Sequence, residues 1–201
     1  MTERLDALLV HAYMYKYDSP WPKSSLRGHM QVSAASELYR QGRVNKIFIA
    51  GGKVWGEGYP PLSEVMADEL KRKHIPSEDI IVKSGAMDTP QEIDLFLQEA
   101  NKRGWSEIGD LANESHQNRI QQIYKRRQRQ VQSMSSELIL EDCRGKHITN
   151  FLKRFRRSAL ERRFRLRNKL IGMVYLLRLE KITSVLAARS RNKKFTPSFD
   201  K

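Results

Sequence analysis

Short apolar runs alternate with longer amphipathic segments from residue 5 to residue 140, and this alternation constrains the fold more than any other feature. The apolar runs predict strands at 5–10 (LDALLV), 46–50 (KIFIA), 79–83 (DIIVK), 107–112 and 137–140. Helical spacing of apolar residues predicts helices over 27–41, 62–73, 89–103 and 115–129. Such a rhythm favours a parallel sheet covered by helices on both faces. The sequence therefore predicts an α/β fold, with a three-layer, mostly parallel, doubly wound, Rossmann-like sheet of about five strands.

Charge is distributed unevenly along the 201 residues. Residues 1–150 carry 21 Lys and Arg against 20 Asp and Glu, whereas residues 151–201 carry 16 against 3. The segment from 148 to 186 has no proline and a single glycine, and it predicts one or two helices. We therefore expect an α/β domain over 1–147, a basic helical extension over 148–190 and a disordered tail over 191–201.

Several classes of protein are disfavoured by composition. No apolar run approaches the roughly 20 residues of a membrane-spanning helix, and the first residues lack the pattern of a secretory signal. The single cysteine excludes an intrachain disulfide, and the histidine spacings match no metal-binding motif. We expect a cytoplasmic protein without a metal.

Ligands of open parallel sheets bind beyond the carboxyl ends of the strands, near the point where strand order reverses. The residues that follow the first four predicted strands are His11 and Tyr13, then Gly51 and Gly52, then Asp88 and Thr89, and finally Asn113 to His116. If the first and fourth strands are neighbours, His11 and His116 face one crevice.

The segment NESHQNR (113–119) carries the strongest local signal. Ser115 is a suitable N-cap, which places His116 in the first helical turn and Arg119 on the same face. A helix start has free N–H groups and partial positive charge, so these residues predict a site for phosphate or carboxylate. The alternative is that Ser115 only caps, that Arg119 pairs with an acid and that His116 is a surface histidine.

Two further loops hold candidates that also have simpler explanations. Gly51 and Gly52 allow close approach of a ligand to the backbone, or they only form a turn. The loop after them could act as a lid with Trp55 and Tyr59 as stacking surfaces. At the next helix start, Ser63 and Glu64 are candidates; Glu64 could be a base or a hydrogen-bonding group, or only favour the helix start.

Thr89-Pro90-Gln91-Glu92 matches a capping box with proline at the first helical position. This local role alone would explain both Thr89 and Glu92.

The basic extension allows three interpretations. Segment 153–169 has nine basic residues and one acidic residue, with Phe155 and Phe164 interleaved and Phe151 just before it. Such a segment can be a solvated helix face, a surface for anionic membrane, or a surface for RNA or DNA phosphates. The surface available for these partners spans 151–194.

A set of motifs in fixed order resembles the SanA/ElyC/YdcF family over about residues 5–142. The motifs are LRGHMQVSAASELYRQG (26–42), KIFIAGG (46–52), LSEVMADELKRKHIPSEDIIV (62–82), DTPQE (88–92) and SHQNR (115–119). The resemblance implies a Rossmann-like fold with a pocket at the strand ends. Residues carried over to that pocket are Gly51, Gly52, Glu64, Thr89, His116 and Arg119, with Arg27 as a further candidate.

The chain departs from the family pattern at three places. His11-Ala12-Tyr13 stands where the family has a glycine-containing turn, Glu92 where it has asparagine, and Gln31 where an arginine is expected. The resemblance implies a role in bacterial envelope processes and a nucleotide-like or S-adenosylmethionine-like ligand.

Together these features predict a domain that binds a small anionic ligand, either nucleotide-like or phosphorylated. As an enzyme it would be a hydrolase or transferase, with His116 as the acid or base, Arg119 stabilising charge, and Glu64 or Glu92 as a second carboxylate. The alternative is a non-catalytic module that binds anionic membrane or nucleic acid through its basic helices, peripheral at the inner face of a membrane.

Overall fold

The computed structural model describes residues 4–12, 15–16, 23–24, 26–54 and 56–176. Its main sheet has the strands β1 Leu5–Val10, β4 Val44–Ala50, β5 Ile80–Lys83, β6 Ile108–Ala112 and β7 Gln132–Ser135. They lie in the order β5-β4-β1-β6-β7, and every pairing is parallel. A separate antiparallel ladder pairs β2 Tyr15–Lys16 with β3 Lys23–Ser24. The predicted doubly wound parallel α/β sheet is confirmed.

Helices cover both faces of this sheet. The helices that follow the strands are α1 Leu26–Arg40, α2 Leu62–Arg72, α3 Thr89–Arg103 and α4 Glu114–Arg126, and those after β7 are α5 Ser136–Arg144, α6 Lys146–Arg157 and α7 Ala159–Leu176. A short 3₁₀ turn, Ser77–Asp79, precedes β5. One core includes Leu38, Met66, Leu140 and Leu152 from α1, α2, α5 and α6. The other core joins α3 and α4 to the opposite face of the sheet.

Strand order reverses beside β1, which positions the site. The chain moves outward from β1 through β4 to β5 and then returns to place β6 on the other side of β1. Leu9 pairs with Asp110 and Val10 with Leu111, so His11 leaves β1 beside the end of β6. The predicted contact between the first and fourth strands is therefore confirmed. We call the edge where the parallel strands end, after Val10, Ala50, Lys83 and Ala112, the carboxyl edge.

The predicted strand at 137–140 is wrong. The fifth parallel strand is β7, and residues 137–140 belong to α5. The Ser135 side chain accepts a hydrogen bond from Leu138 N and caps the helix, while Leu138 is exposed and Leu140 is buried. A short apolar run does not distinguish a strand from a one-sided helix, and the polar strand QSMS escapes hydropathy because it is an edge strand.

The basic extension, predicted as one or two helices, begins as two helices, α6 and α7, and passes around the carboxyl edge. Leu152 of α6 joins the core beneath α1 and α5, whereas α7 packs along α4, where Ile171 contacts the second core. The predicted continuation of the helix to residue 186, and the tail over 191–201, lie outside the described residues. In the part of the chain described here, no helix combines the length and hydropathy needed to cross a membrane.

Candidate functional site

A buried ion cluster links three elements beneath the carboxyl edge. His11 is fully buried, and its Nδ1 lies 2.6 Å from Glu92 Oε2 on α3 while its Nε2 lies 2.7 Å from Asp110 Oδ2 on β6. The second oxygen of Glu92 accepts a hydrogen bond from the backbone N–H of Ala12. Tyr124 of α4 donates a longer bond of 3.3 Å to Asp110. Both ring nitrogens of the predicted ligand-binding residue His11 are therefore engaged by carboxylates.

His11 is an imidazolium in this environment. Burial alone would lower its pKa, but the charges and hydrogen bonds of Asp110 and Glu92 prevail and raise the pKa to about 10. Burial raises the pKa of Glu92, although the bonds from His11 and Ala12 oppose that change. Burial and the nearby Asp110 raise the pKa of Tyr124 well above its usual value. At neutral pH the cluster holds a positive ring between two acidic side chains.

The predicted capping box at Thr89 is wrong by one residue. Asp88 is the N-cap, and its side chain accepts a hydrogen bond from Gln91 N at 3.0 Å. The Gln91 side chain in turn accepts from Met87 N. Because Asp88 and Gln91 take the local roles, Thr89 and Glu92 are released for long-range contacts.

Thr89 and Arg119 meet across the carboxyl edge. The Thr89 hydroxyl oxygen accepts a 2.5 Å hydrogen bond from Arg119 Nη2, which joins the start of α3 to α4. His116 lies one turn before Arg119, and its ring centroid is 5.9 Å from that of His11. Burial, together with the positive charges of Arg119, His11, Arg27 and Arg167, lowers the pKa of His116 well below its usual value. His116 is therefore a neutral imidazole among cations.

The predicted anion position at the start of α4 is filled by the chain's own Glu137. Its carboxylate accepts hydrogen bonds from Glu114 N at 2.9 Å, from the hydroxyls of Ser135 and Ser136, and from the Asn113 amide. Ser115 is not the N-cap as predicted: the cap is Asn113, two residues earlier, and the helix begins at Glu114. A carboxylate at a helix start fits the physical reasoning, but it comes from inside the protein.

A second internal carboxylate holds Arg27. Arg27, in the first turn of α1, is 8% exposed, and its Nη2 and Nε lie 2.5 Å and 3.2 Å from Glu161 Oε2 on α7. The guanidinium also lies over the ring of Phe164, 3.9 Å from its centroid, and Phe164 reaches the His116 ring at 6.5 Å. Thus α7 places an acid and an aromatic ring directly over two predicted site residues, where the sequence had predicted an open crevice.

Two buried amides lie close to these contacts in sequence. Gln31, one helical turn after Arg27, is fully buried, and neither its side-chain oxygen nor its nitrogen has a hydrogen-bond partner within the described ranges. Asn168, two turns after Glu161 on the buried face of α7, has a buried side-chain nitrogen in the same situation. Buried polar groups are rarely left without partners, so these two amides stand out beside the contacts of Arg27 and Glu161.

The paired glycines are required by contacts within the protein. A Cβ on Gly51 would lie 2.5 Å from Ala12 Cβ, and one on Gly52 would lie 2.9 Å from Ala86 O. Ser63 is buried and its hydroxyl donates to Gly51 O at 2.8 Å. Glu64, the other predicted catalytic residue, is exposed in the first turn of α2.

The structure thus brings most of the predicted residues to one edge but covers them. His11, Arg27, Thr89, Glu92 and Arg119 are joined by direct contacts or share neighbours, and all the candidates except Glu64 are buried or partly buried. Tyr13 and Trp55 lie outside the described residues. A groove of about 370 Å³ lies at the opposite edge of the sheet, where Lys46 and Tyr39 bind Asp79.

Sequence reasoning missed three acidic side chains. Asp110 is the only charged residue in an otherwise apolar strand, and Glu161 is the only acid among the nine basic residues of 153–169. A lone charge that interrupts a run of the opposite kind is the signal that could have identified both. Glu137 carried no comparable signal, because it follows two serines in an ordinary N-cap sequence.

Among the described residues no group of three or more His, Cys, Asp and Glu could hold a metal ion. Comparison with known proteins adds no relative: no family model, curated protein or solved structure matches the chain.

Proposed function

We propose that the carboxyl edge beneath α7 binds a small anionic ligand, nucleotide-like or phosphorylated, whose charged group takes the place of the Glu161 carboxylate. The observation that carries this proposal is the pairing of Arg27 with Glu161. A guanidinium from the α/β domain already holds an anion at the carboxyl edge, and that anion is supplied by the extension. Ligands of doubly wound sheets bind at this edge and at this point of strand reversal.

Positive charge around the pairing supports a ligand more highly charged than a carboxylate. Arg119, His11, Arg27 and Arg167 all act on His116, and burial keeps this imidazole neutral. A phosphate carries up to two negative charges and can accept paired hydrogen bonds from arginine. Such a group would gain more from Arg27 and Arg119 than the single carboxylate of Glu161 does.

Glu161 is the displaceable one of the two internal carboxylates. Glu137 lies on α5, which packs against α1, and it accepts four hydrogen bonds. Glu161 lies on a helix whose other side is exposed. The Gln31 amide and the Asn168 side-chain nitrogen, which have no hydrogen-bond partner within the described ranges, would also gain from polar atoms of a ligand.

The test compares the exchange Glu161→Gln with the control Glu141→Gln. Glu141 is a glutamate on α5 that pairs with Arg156. Binding of pyrophosphate, ADP, UDP-glucose and S-adenosylmethionine is measured by thermal shift and calorimetry for both variants and for wild type. Removal of a competing charge-assisted hydrogen bond should tighten binding of at least one phosphate-containing probe by about tenfold to a hundredfold in E161Q only.

A third variant, Arg119→Gln, should weaken the same probe while the protein stays folded. The proposal is rejected if none of the probes stabilises either wild type or E161Q, or if E161Q and E141Q respond alike. Hydrolase or transferase activity with His116 as acid or base stays a prediction. Membership of the YdcF-like family also stays a proposal, supported by the convergence of Arg27, Thr89, His116 and Arg119.

A further inference from the structure

The outer side of α7 carries three large apolar side chains in one line. Leu166 is 60% exposed, Leu170 56% and Met173 50%. Their spacing of four and then three residues places them on one face of the helix, within an arc of about 60° at 100° per residue. We call these three residues the apolar stripe. Exposed apolar groups aligned in this way mark an interaction surface more often than scattered single ones do.

Basic residues border the apolar stripe on both sides. Arg162 and Lys169 lie along one border of it and Arg163 and Arg167 along the other, and all four are exposed. The opposite side of α7 is occupied, since Glu161 and Asn168 are buried and Phe164 is partly buried against Arg27 and His116. The helix therefore has one side fixed to the domain and one side that is apolar in the middle and cationic at both margins.

From this arrangement we infer that α7 docks the protein on an anionic lipid surface through the apolar stripe. A helix that lies in a membrane interface has the same distribution of side chains around its axis. Its aliphatic side chains enter the acyl boundary, while arginine and lysine reach the headgroups on either side. Lysine and arginine can bury their aliphatic stems while their charged ends reach the headgroups. The basic residues that border the apolar stripe therefore do not prevent it from inserting.

The chemistry of the stripe favours lipid over nucleic acid as the partner. Proteins that bind single strands place aromatic rings where bases stack, and phosphate contacts need only cations. The centre of this face is aliphatic, and aliphatic groups exposed between cations would gain nothing from phosphates.

The experiment measures binding of the full chain to vesicles by flotation. Vesicles of phosphatidylcholine alone are compared with vesicles of equal parts phosphatidylcholine and phosphatidylglycerol. Wild type should bind only the second kind. The double exchange Leu166→Ser with Leu170→Ser should weaken that binding at least tenfold, whereas the control Leu138→Ser, an equally exposed leucine on α5, should leave it unchanged.

A charge variant completes the design. Arg163→Gln with Lys169→Gln, one exchange on each border of the apolar stripe, should weaken binding about thirtyfold and reduce its salt dependence. All the exchanged side chains are exposed, so the variants should unfold at nearly the wild-type temperature. The inference is overturned if the serine variant binds vesicles as wild type does. It is also overturned if wild type prefers poly(U) RNA to anionic vesicles and only the charge variant loses binding. Neither result depends on the ligand site, because none of the exchanged residues is a group to which the proposed ligand binding is assigned.

Discussion

Exchange of His11 for glutamine should destabilise the protein strongly at neutral pH and remove part of its pH dependence. Glutamine can reach Glu92 or Asp110 but brings no positive charge, so the two buried acids would lose the cation between them. Breaking a buried ion pair by removing one partner typically costs about 3–5 kcal/mol. The pKa of His11, raised from 6.5 to about 10, corresponds to on the order of 4–5 kcal/mol of preference for the imidazolium in the folded state, an independent figure of similar size.

The direction of the pH effect follows from the same pKa. Because the folded-state pKa of His11 lies above the unfolded value, its stabilisation is complete below about pH 6.5 and is lost as pH rises through about 10. The pKa of Glu92 is also raised, so its contribution is likewise lost as pH rises. The hydrogen bond to Asp79 raises the pKa of Tyr39 to about 12. The stabilisation by the protonated Tyr39 phenol is therefore lost in a more alkaline range, between about pH 10 and 12.

The assay is guanidinium unfolding followed by circular dichroism at several pH values between 6.5 and 10. Wild type should lose stability across this range with a slope of up to about 1.4 kcal/mol per pH unit, and H11Q should show a flatter profile. The double variant H11Q/E92Q, which also removes one buried acid, should be more stable than H11Q alone. Parallel profiles for wild type and H11Q, or a double variant less stable than the single one, would refute the assignment of His11 as a buried cation.

Two further predictions concern the backbone near the site. Gly52→Ala should lower stability by about 1–3 kcal/mol in thermal or chemical unfolding, because the new Cβ would press on the carbonyl oxygens of Ala86 and Ser84. The control Gly58→Ala should have little effect, because its Cβ would meet nothing within 4 Å. Equal effects of the two exchanges would contradict the close approach at Gly52. Asp88→Ala should lower stability by about 1 kcal/mol, because it removes the N-cap of α3. Asp88→Ser restores an acceptor for Gln91 N, so its unfolding midpoint should recover. If the alanine variant loses no stability, the N-cap of α3 is Thr89 and not Asp88.

The elements with strong local signals were predictable, and their partners were not. The bounds of β1 and α3 agree with the predictions, because LDALLV is apolar along its length and α3 ends at Gly104 with a positive φ. The adjacency of the first and fourth predicted strands, considered only as a condition from the usual orders of doubly wound sheets, is the one that the structure has. The error at 137–140 arose where four residues suited both a strand and a helix, and only the Ser135 cap decides between them.

The site was predicted in its location but not in its charge balance. The rule for parallel sheets brought His11, Thr89 and His116 to one edge without any motif. Which acid pairs with which cation depends on long-range packing. Arg27 and Glu161 are 134 residues apart in the sequence, and His11 and Asp110 are 99 apart, so no local sequence pattern indicates either pair. The net charge of segment 153–169 also gave no indication of Glu161. The segment has nine basic residues and one acid, and that acid is the side chain that is buried against the domain.

The passage of the extension around the carboxyl edge has a consequence for biosynthesis. Leu152 completes the apolar interior on one side of the sheet, and Ile171 contributes to the other. A nascent chain that has emerged from the ribosome only as far as α5 therefore presents both interiors with gaps and leaves Arg27 without its carboxylate. Native packing is reached only when α7 has left the exit tunnel, so the α/β domain stays incomplete until its helical extension has been synthesised.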